Sequence, residues 1–175
     1  MTISLLIGIF VESDKTSPMS YPSEFVSVFA RNCVVRRIDS PTARLFLEKN
    51  HRFGFCRCAY CYGLFVEKQG HDARFAPGEM VAAGCFSKPR HREEDGRRIS
   101  SYEWVRYASL EGVRVSGGMG KMLKTFIGDF RPDDVMTYAP LVEGTEGEVY
   151  CKLGFVREGT RRFGTASSAV FRLKL

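Results

Sequence analysis

No apolar run in this chain is long enough to cross a bilayer as a helix. The start, Met1 to Phe10, is apolar but lacks a basic leading region and a small-residue cleavage site, so it reads as a strand rather than a signal peptide. Together these absences place the protein in the cytoplasm as an expectation. Internal repeats and low-complexity tracts are also missing. Neither a Gly-x4-Gly-Lys-Ser/Thr loop nor a second Cys-x-x-Cys pair occurs, which argues against a Walker-type nucleotide site and a paired-knuckle zinc site. What is present fits one domain spanning 1–175, with 44% apolar residues to build a core and 26% charged residues to solvate it. The net charge of +6 favours anionic partners, among them coenzyme A, nucleic acid and acidic protein surfaces.

The six cysteines are Cys33, Cys56, Cys58, Cys61, Cys85 and Cys151. In a reducing compartment such residues are more often buried thiols than disulfides. The run Cys56-Arg-Cys58-Ala-Tyr-Cys61 has zinc-like spacing, with His51 or His71 as a further ligand. Alternation along a strand separates Cys61 from Cys56 and Cys58, so no metal is expected.

The patterning predicts a strand over 3–11, a loop over 13–24, and a short helix or strand over 25–36. Asp39-Ser40-Pro41 is a helix start, leading into a helix from Thr42 to Lys49. Strands are expected at Tyr60–Glu67, Gly78–Phe86, Tyr102–Leu110, Val135–Tyr138, Phe155–Glu158 and Ser168–Leu173. Helices are expected at Gly117–Phe130 and Glu146–Leu153, the second stopped by Gly154. Residues 87–99 read as a charged loop. The order, antiparallel strands followed by strand–helix–strand–helix–strand, is an α/β (α+β) plan: a mixed, mostly antiparallel sheet flanked by helices.

Arg114-Val-Ser-Gly117-Gly118-Met119-Gly120-Lys121 sits between a strand and an amphipathic helix. Glycines there let main-chain amides approach a ligand, and the helix dipole favours phosphate. Arg114 and Lys121 add positive charge. Gly118-Met-Gly120-Lys-Met-Leu123, with Tyr150-Cys-Lys-Leu-Gly154-Phe155 downstream, resembles the two signatures of the GNAT acyl-CoA-dependent N-acyltransferases. The usual Arg/Gln three residues before the first glycine is Val115 here, with Arg114 beside it. The resemblance implies acetyl-CoA or another acyl-CoA as donor. Tyr107, Ala108 and Leu110 then line the pantetheine arm, and Arg114, Val115, Gly117, Gly118, Met119, Gly120 and Lys121 hold the pyrophosphate. It further implies Glu103 as general base and Tyr150 as general acid toward the leaving thiolate. Read from the residues alone, Glu103 is equally a surface carboxylate paired with Arg106 or Lys88, and Tyr150 a core tyrosine.

The acceptor stays open. Leu47 to Gly54, Gly63 to Val66, Val81 to Pro89 and Glu103-Trp-Val-Arg106 are similar to phage-type, Mom-like GNAT proteins, which act on DNA bases. That likeness implies His51, Arg106 and Tyr138 as acceptor-site residues. Pro140 stands where that pattern has an aspartate, and Glu143 lies nearby. Lys88, Arg90, His91, Arg92, Arg97 and Arg98, with Arg161 and Arg162, form a basic set that suits phosphate contacts. Three readings follow: an amine acyltransferase, a nucleic-acid modifier, and a non-catalytic module that binds CoA or nucleic acid. The oligomeric state is open, a homodimer included.

Overall fold

The structure is a computed structural model that describes residues 26–68, 74–141 and 147–175. The expected strand at 3–11 and loop at 13–24, and the residues His71 and Glu143, lie outside the described residues. The segment from residue 26 is neither one helix nor one strand. It is a strand β1 (Val26–Phe29), a single 3-10 turn (Ala30–Asn32) and a strand β2 (Cys33–Ile38). Helix α1 (Ser40–Asn50) begins where its sequence dictates: the Asp39 carboxylate accepts the Thr42 amide at 2.8 Å.

Strands β3 (Tyr60–Val66) and β4 (Met80–Phe86) pair antiparallel, as expected. The expected charged loop at 87–99 is instead a hairpin, and this is the clearest correction. β5 (Arg90–Glu94) turns through Asp95 (φ 52°) and Gly96 (φ 74°) into the long β6 (Arg97–Ser109). Two consecutive left-handed residues make the tight turn whose twist suits a hairpin, and Asp-Gly is a favoured sequence for it. Opposite charges face each other across it, Glu93 against Arg98 and Glu94 against Arg97. High charge thus marked a solvated ribbon rather than a loop.

A short strand β7 (Val113–Ser116), not anticipated, pairs parallel with β1. Helix α2 (Gly118–Phe130) follows, then β8 (Asp134–Pro140), which runs parallel to β6. Helix α3 (Glu148–Lys152) precedes a closing hairpin of β9 (Val156–Phe163) and β10 (Ala166–Lys174), longer than the two strands expected there. The main sheet has the order β2-β3-β4-β6-β8-β10-β9, with β5 added to β6. Among the described residues its single parallel pair, β6 with β8, is the one joined through α2, so the mixed, mostly antiparallel plan holds.

Apolar residues divide between the two faces. On the larger side Phe86 lies stacked between Trp104 (centroids 5.3 Å apart) and Phe126 of α2 (3.8 Å). Met122, Leu123, Tyr150, Phe155 and Phe171 complete that layer. On the smaller side Ala43, Phe46 and Leu47 of α1 pack on Cys61, Ala83, Cys85 and Ala108. Burying an aromatic such as Phe126 is worth about 3–5 kcal/mol against alanine, so this stack fixes how α2 docks.

Candidate functional site

Helix α2 starts without a cap. Gly117 occupies the capping position at φ 77°, where it has no side chain to offer, and no acidic residue lies in the first turn. The first intrahelical bond runs from the Lys121 amide to the Gly117 carbonyl at 3.0 Å. The amides of Gly118, Met119 and Gly120 therefore precede the ladder and point out of the helix end. With the dipole behind them, they form an anion site.

Glycine is required here for space as well. A Cβ on Gly118 would lie 2.5 Å from the Tyr107 hydroxyl and 2.8 Å from Val115 Cγ1, and one on Gly120 would meet Leu153 at 3.4 Å. Tyr107 is 8% exposed, and its hydroxyl is buried with no hydrogen-bond partner among the described residues. Burial pushes its phenol up to about 12; Ser109 pulls slightly the other way but is not placed for a proper bond.

Two expected phosphate ligands behave differently from that expectation. The Lys121 ammonium donates to the carbonyls of Ala30 (2.9 Å) and Cys33, so it fastens α2 to the turn between β1 and β2. Arg114 is exposed on β7, while Val115, at the family's Arg/Gln position, packs toward Gly118.

Beside this turn, β6 changes partner. Its ladder with β8 runs over Ser101–Asp134, Tyr102–Val135 and Glu103–Met136, and stops there. On its other edge, Phe86 opposes Trp104 while Cys85 opposes Arg106, which leaves Val105 as an extra residue, a β-bulge. The bulge explains why Trp104 and Tyr107, three apart, join the same core layer. The hydroxyl of Thr137 donates to the Trp104 carbonyl at 3.0 Å, the last link recorded between the two strands. Beyond it lies a fork whose β6 side is Val105 to Ser109, the stretch containing Tyr107 and Ala108, with Leu110 just after.

Tyr150 stands at the base of this fork. It is fully buried against Trp104, Phe155 and Phe171. Burial pushes its phenol well above the usual range, with the Thr137 hydroxyl pulling part of the way back, so it stays protonated. Thr137 escaped the sequence reading; its signal was a lone polar residue in the apolar strand Val-Met-Thr-Tyr-Ala.

Glu103 faces the other layer. It is 2% exposed, not a surface glutamate, and its recorded ion pair is with Arg90 at 3.5 Å rather than with Lys88. Its amide donates to the Ser87 hydroxyl at 2.9 Å. Arg106, 1% exposed, sits on the same side, donating to the carbonyls of Gly54 (3.1 Å) and Val105 (2.9 Å). Burial lowers the Arg106 pKa, and Cys56, Cys58, Cys85 and Glu103 oppose that. The sheet thus separates Glu103 from Tyr150, and the fork opens between their faces.

The remaining acceptor candidates are scattered. His51 caps the end of α1, its amide on Leu47 and its Nδ1 accepting the Phe53 amide at 3.1 Å. Tyr138 is buried on β8 and accepts a bond from Arg161 at 3.0 Å. In the hairpin, Arg92 is paired with Asp134 at 2.7 Å and Arg97 with Asp133 at 2.6 Å. The cysteines also differ from expectation. Cys56 and Cys58 precede β3 rather than alternate along it, and Cys61 converges with Cys58 and Cys85 in the α1 layer.

No family model and no curated protein matches the sequence. Solved structures do. An acetyltransferase of the GNAT family from Desulfovibrio desulfuricans is similar at 12% identity and TM-score 0.54, over 81% of this chain and 98% of that one. The ribosomal-protein-S18-alanine N-acetyltransferase from Escherichia coli is similar at 14% and 0.53, over 81% and 93%. A chain of the NatC complex bound to Gag peptide and CoA is similar at 13% and 0.54, over 82% and 99%. The chain has the GNAT acetyltransferase fold.

Proposed function

We propose that the protein is an acyl-CoA-dependent N-acyltransferase. The observation that carries this reading is the uncapped, acid-free, glycine-headed start of α2 set beside the fork of β6 and β8. The residues fit the donor. Three outward amides suit a pyrophosphate, and the edge of β6 past Glu103 suits an extended, amide-bearing arm added like a strand. The buried Tyr107 hydroxyl, without a partner among the described residues, adds a polar group beside the glycine turn. An acyl-CoA bound there supplies a thioester carbonyl for an amine to attack.

The chain's own groups divide the proton work. Glu103 takes the proton of the incoming ammonium from one face, directly or through water, and its pairing with Arg90 orients it. Tyr150, kept protonated by burial, gives its proton to the departing sulfur from the other face. This reading puts the reacting centre at the fork, between the two faces. The CoA-bearing NatC complex is similar in fold and supports the donor assignment.

Acetyl-CoA titrated calorimetrically tests the donor, with Gly120→Glu as the control. Binding by the wild type that the variant abolishes is the expected result; a folded wild type that does not bind overturns the reading. A screen of small amines, protein amines and DNA then seeks the acceptor. Tyr150→Phe is expected to lower kcat by roughly 10²-fold or more while leaving acetyl-CoA affinity intact. DNA binding that falls steeply with salt, together with acylation of a base, would assign the Mom-like chemistry. CoA binding without turnover on any acceptor would reduce the chain to a binding module.

A further inference from the structure

Four of the six cysteines meet in one place, outside the donor site. Cys56 and Cys58 lie half-buried on the segment between α1 and β3, their sulfurs 3.7 Å apart. Cys61 and Cys85 are directly opposed on β3 and β4, with sulfurs 3.2 Å apart, and both are buried. Cys58 lies between the pairs: its sulfur is 3.7 Å from that of Cys56, and it packs in the same layer as Cys61 and Cys85. The buried Arg106 guanidinium lies beside the same sulfurs.

A chain of touching thiols with one buried cation is more than packing requires. Sulfurs in van der Waals contact stand within a short movement of bonding distance. We propose that Cys58 and Cys56 form an oxidisable dithiol, a modification site at which a hydroperoxide closes a Cys56–Cys58 disulfide. The Cys58 thiolate attacks the distal peroxide oxygen, forming the sulfenic acid and releasing the other oxygen as water or an alcohol. The Cys56 thiol then attacks that sulfur, the S–S bond forms, and a water leaves. Two thiols are oxidised and one peroxide is reduced to water and its alcohol or a second water.

The geometry gives each sulfur a part. Cys56 and Cys58 share a loop and are reachable, so they can close without moving a strand. Cys61 and Cys85 are held by the ladder and shielded from solvent. The contact with the Cys56 thiol, with Arg106 adding its charge against the effect of burial, holds the Cys58 thiol below its usual range. The opposite shift of Cys56, raised first by its bond to Cys58 and then by burial, keeps it protonated until its partner is oxidised.

The test reads sulfur and not acyl transfer, so it stands or falls apart from the proposed function. The full chain is treated with hydrogen peroxide, and its thiols are mapped by alkylation and peptide mass spectrometry. Cys151, exposed on α3, is the internal reference. The expected result is a Cys56–Cys58 linkage, reversed by dithiothreitol, formed faster than Cys151 oxidises. In Cys56→Ser the sulfenic acid at Cys58 is expected to persist and to be trapped by dimedone; thermal melts confirm that the variant is folded. Oxidation of Cys58 no faster than Cys151 overturns the proposal. So does a linkage through Cys61 or Cys85, or a metal bound one per chain in the purified protein that shields the thiols.

Discussion

The two longer helices among the described residues begin in opposite ways. α1 carries its own anion: Asp39 accepts the Thr42 amide, and the end of the helix is closed by the chain itself. α2 has a glycine at the same position and no acid in its first turn. Its end is neither neutralised nor hydrogen-bonded by its own residues. With glycine in place of a polar side chain, such a start gives up only a few tenths of a kcal/mol. The difference leaves the start of α2, and not that of α1, open to an outside anion.

That contrast can be erased by giving α2 a cap. Gly117→Asp places a carboxylate at the helix start; the nearest atom to its Cβ is Ala30 Cβ at 3.6 Å, so there is room, but the left-handed φ of 77° strains a side chain there. Acetyl-CoA affinity is expected to fall by about tenfold or more, about 1.4 kcal/mol, while the melting temperature falls slightly. Calorimetry and a thermal melt on one preparation read both effects.

Tyr107→Phe sharpens the same contrast from below the turn. It deletes a buried hydroxyl that has no partner among the described residues, so the free protein is expected to gain about 1 kcal/mol, measured by urea denaturation. A loss of similar size instead would mean that the hydroxyl is already satisfied without ligand.

The smallest effect belongs to α1. Asp39→Ala is expected to lower Tm by about 2–4 °C and to leave acetyl-CoA affinity unchanged. Hydrogen bonds from Thr42 hold the Asp39 carboxyl below its ordinary value. Its contribution is therefore complete above the unfolded carboxyl's pKa and is lost as pH falls through the lower, folded value. The variant should show a flatter acid limb in a plot of Tm against pH.

Elements with a one-dimensional signature were legible. Asp39-Ser-Pro marked α1, and the apolar spacing of Met122, Leu123 and Phe126 marked α2. The hairpin at Asp95-Gly96 was not found, because its strands are charged and solvated and lack an apolar face. β7 was missed because four residues pairing with a distant strand leave no local period. For the site, the glycine turn and Tyr150 were visible as motifs. The bonds of Lys121 were not legible because its acceptors, Ala30 and Cys33, lie some ninety residues away in sequence.

By itself the sequence determined the mixed sheet, the glycine-headed helix and the tyrosine that ends up beside the fork. These follow from local backbone freedom and from periodicity, which the chain carries residue by residue. Tertiary structure alone decided that β6 bulges at Val105 and leaves β8 after Glu103, that Glu103 and Tyr150 lie on opposite faces, and that four cysteines meet. Each of these depends on which strand lies beside which, and strand partners are chosen by burial across the whole sheet rather than by neighbours along the chain.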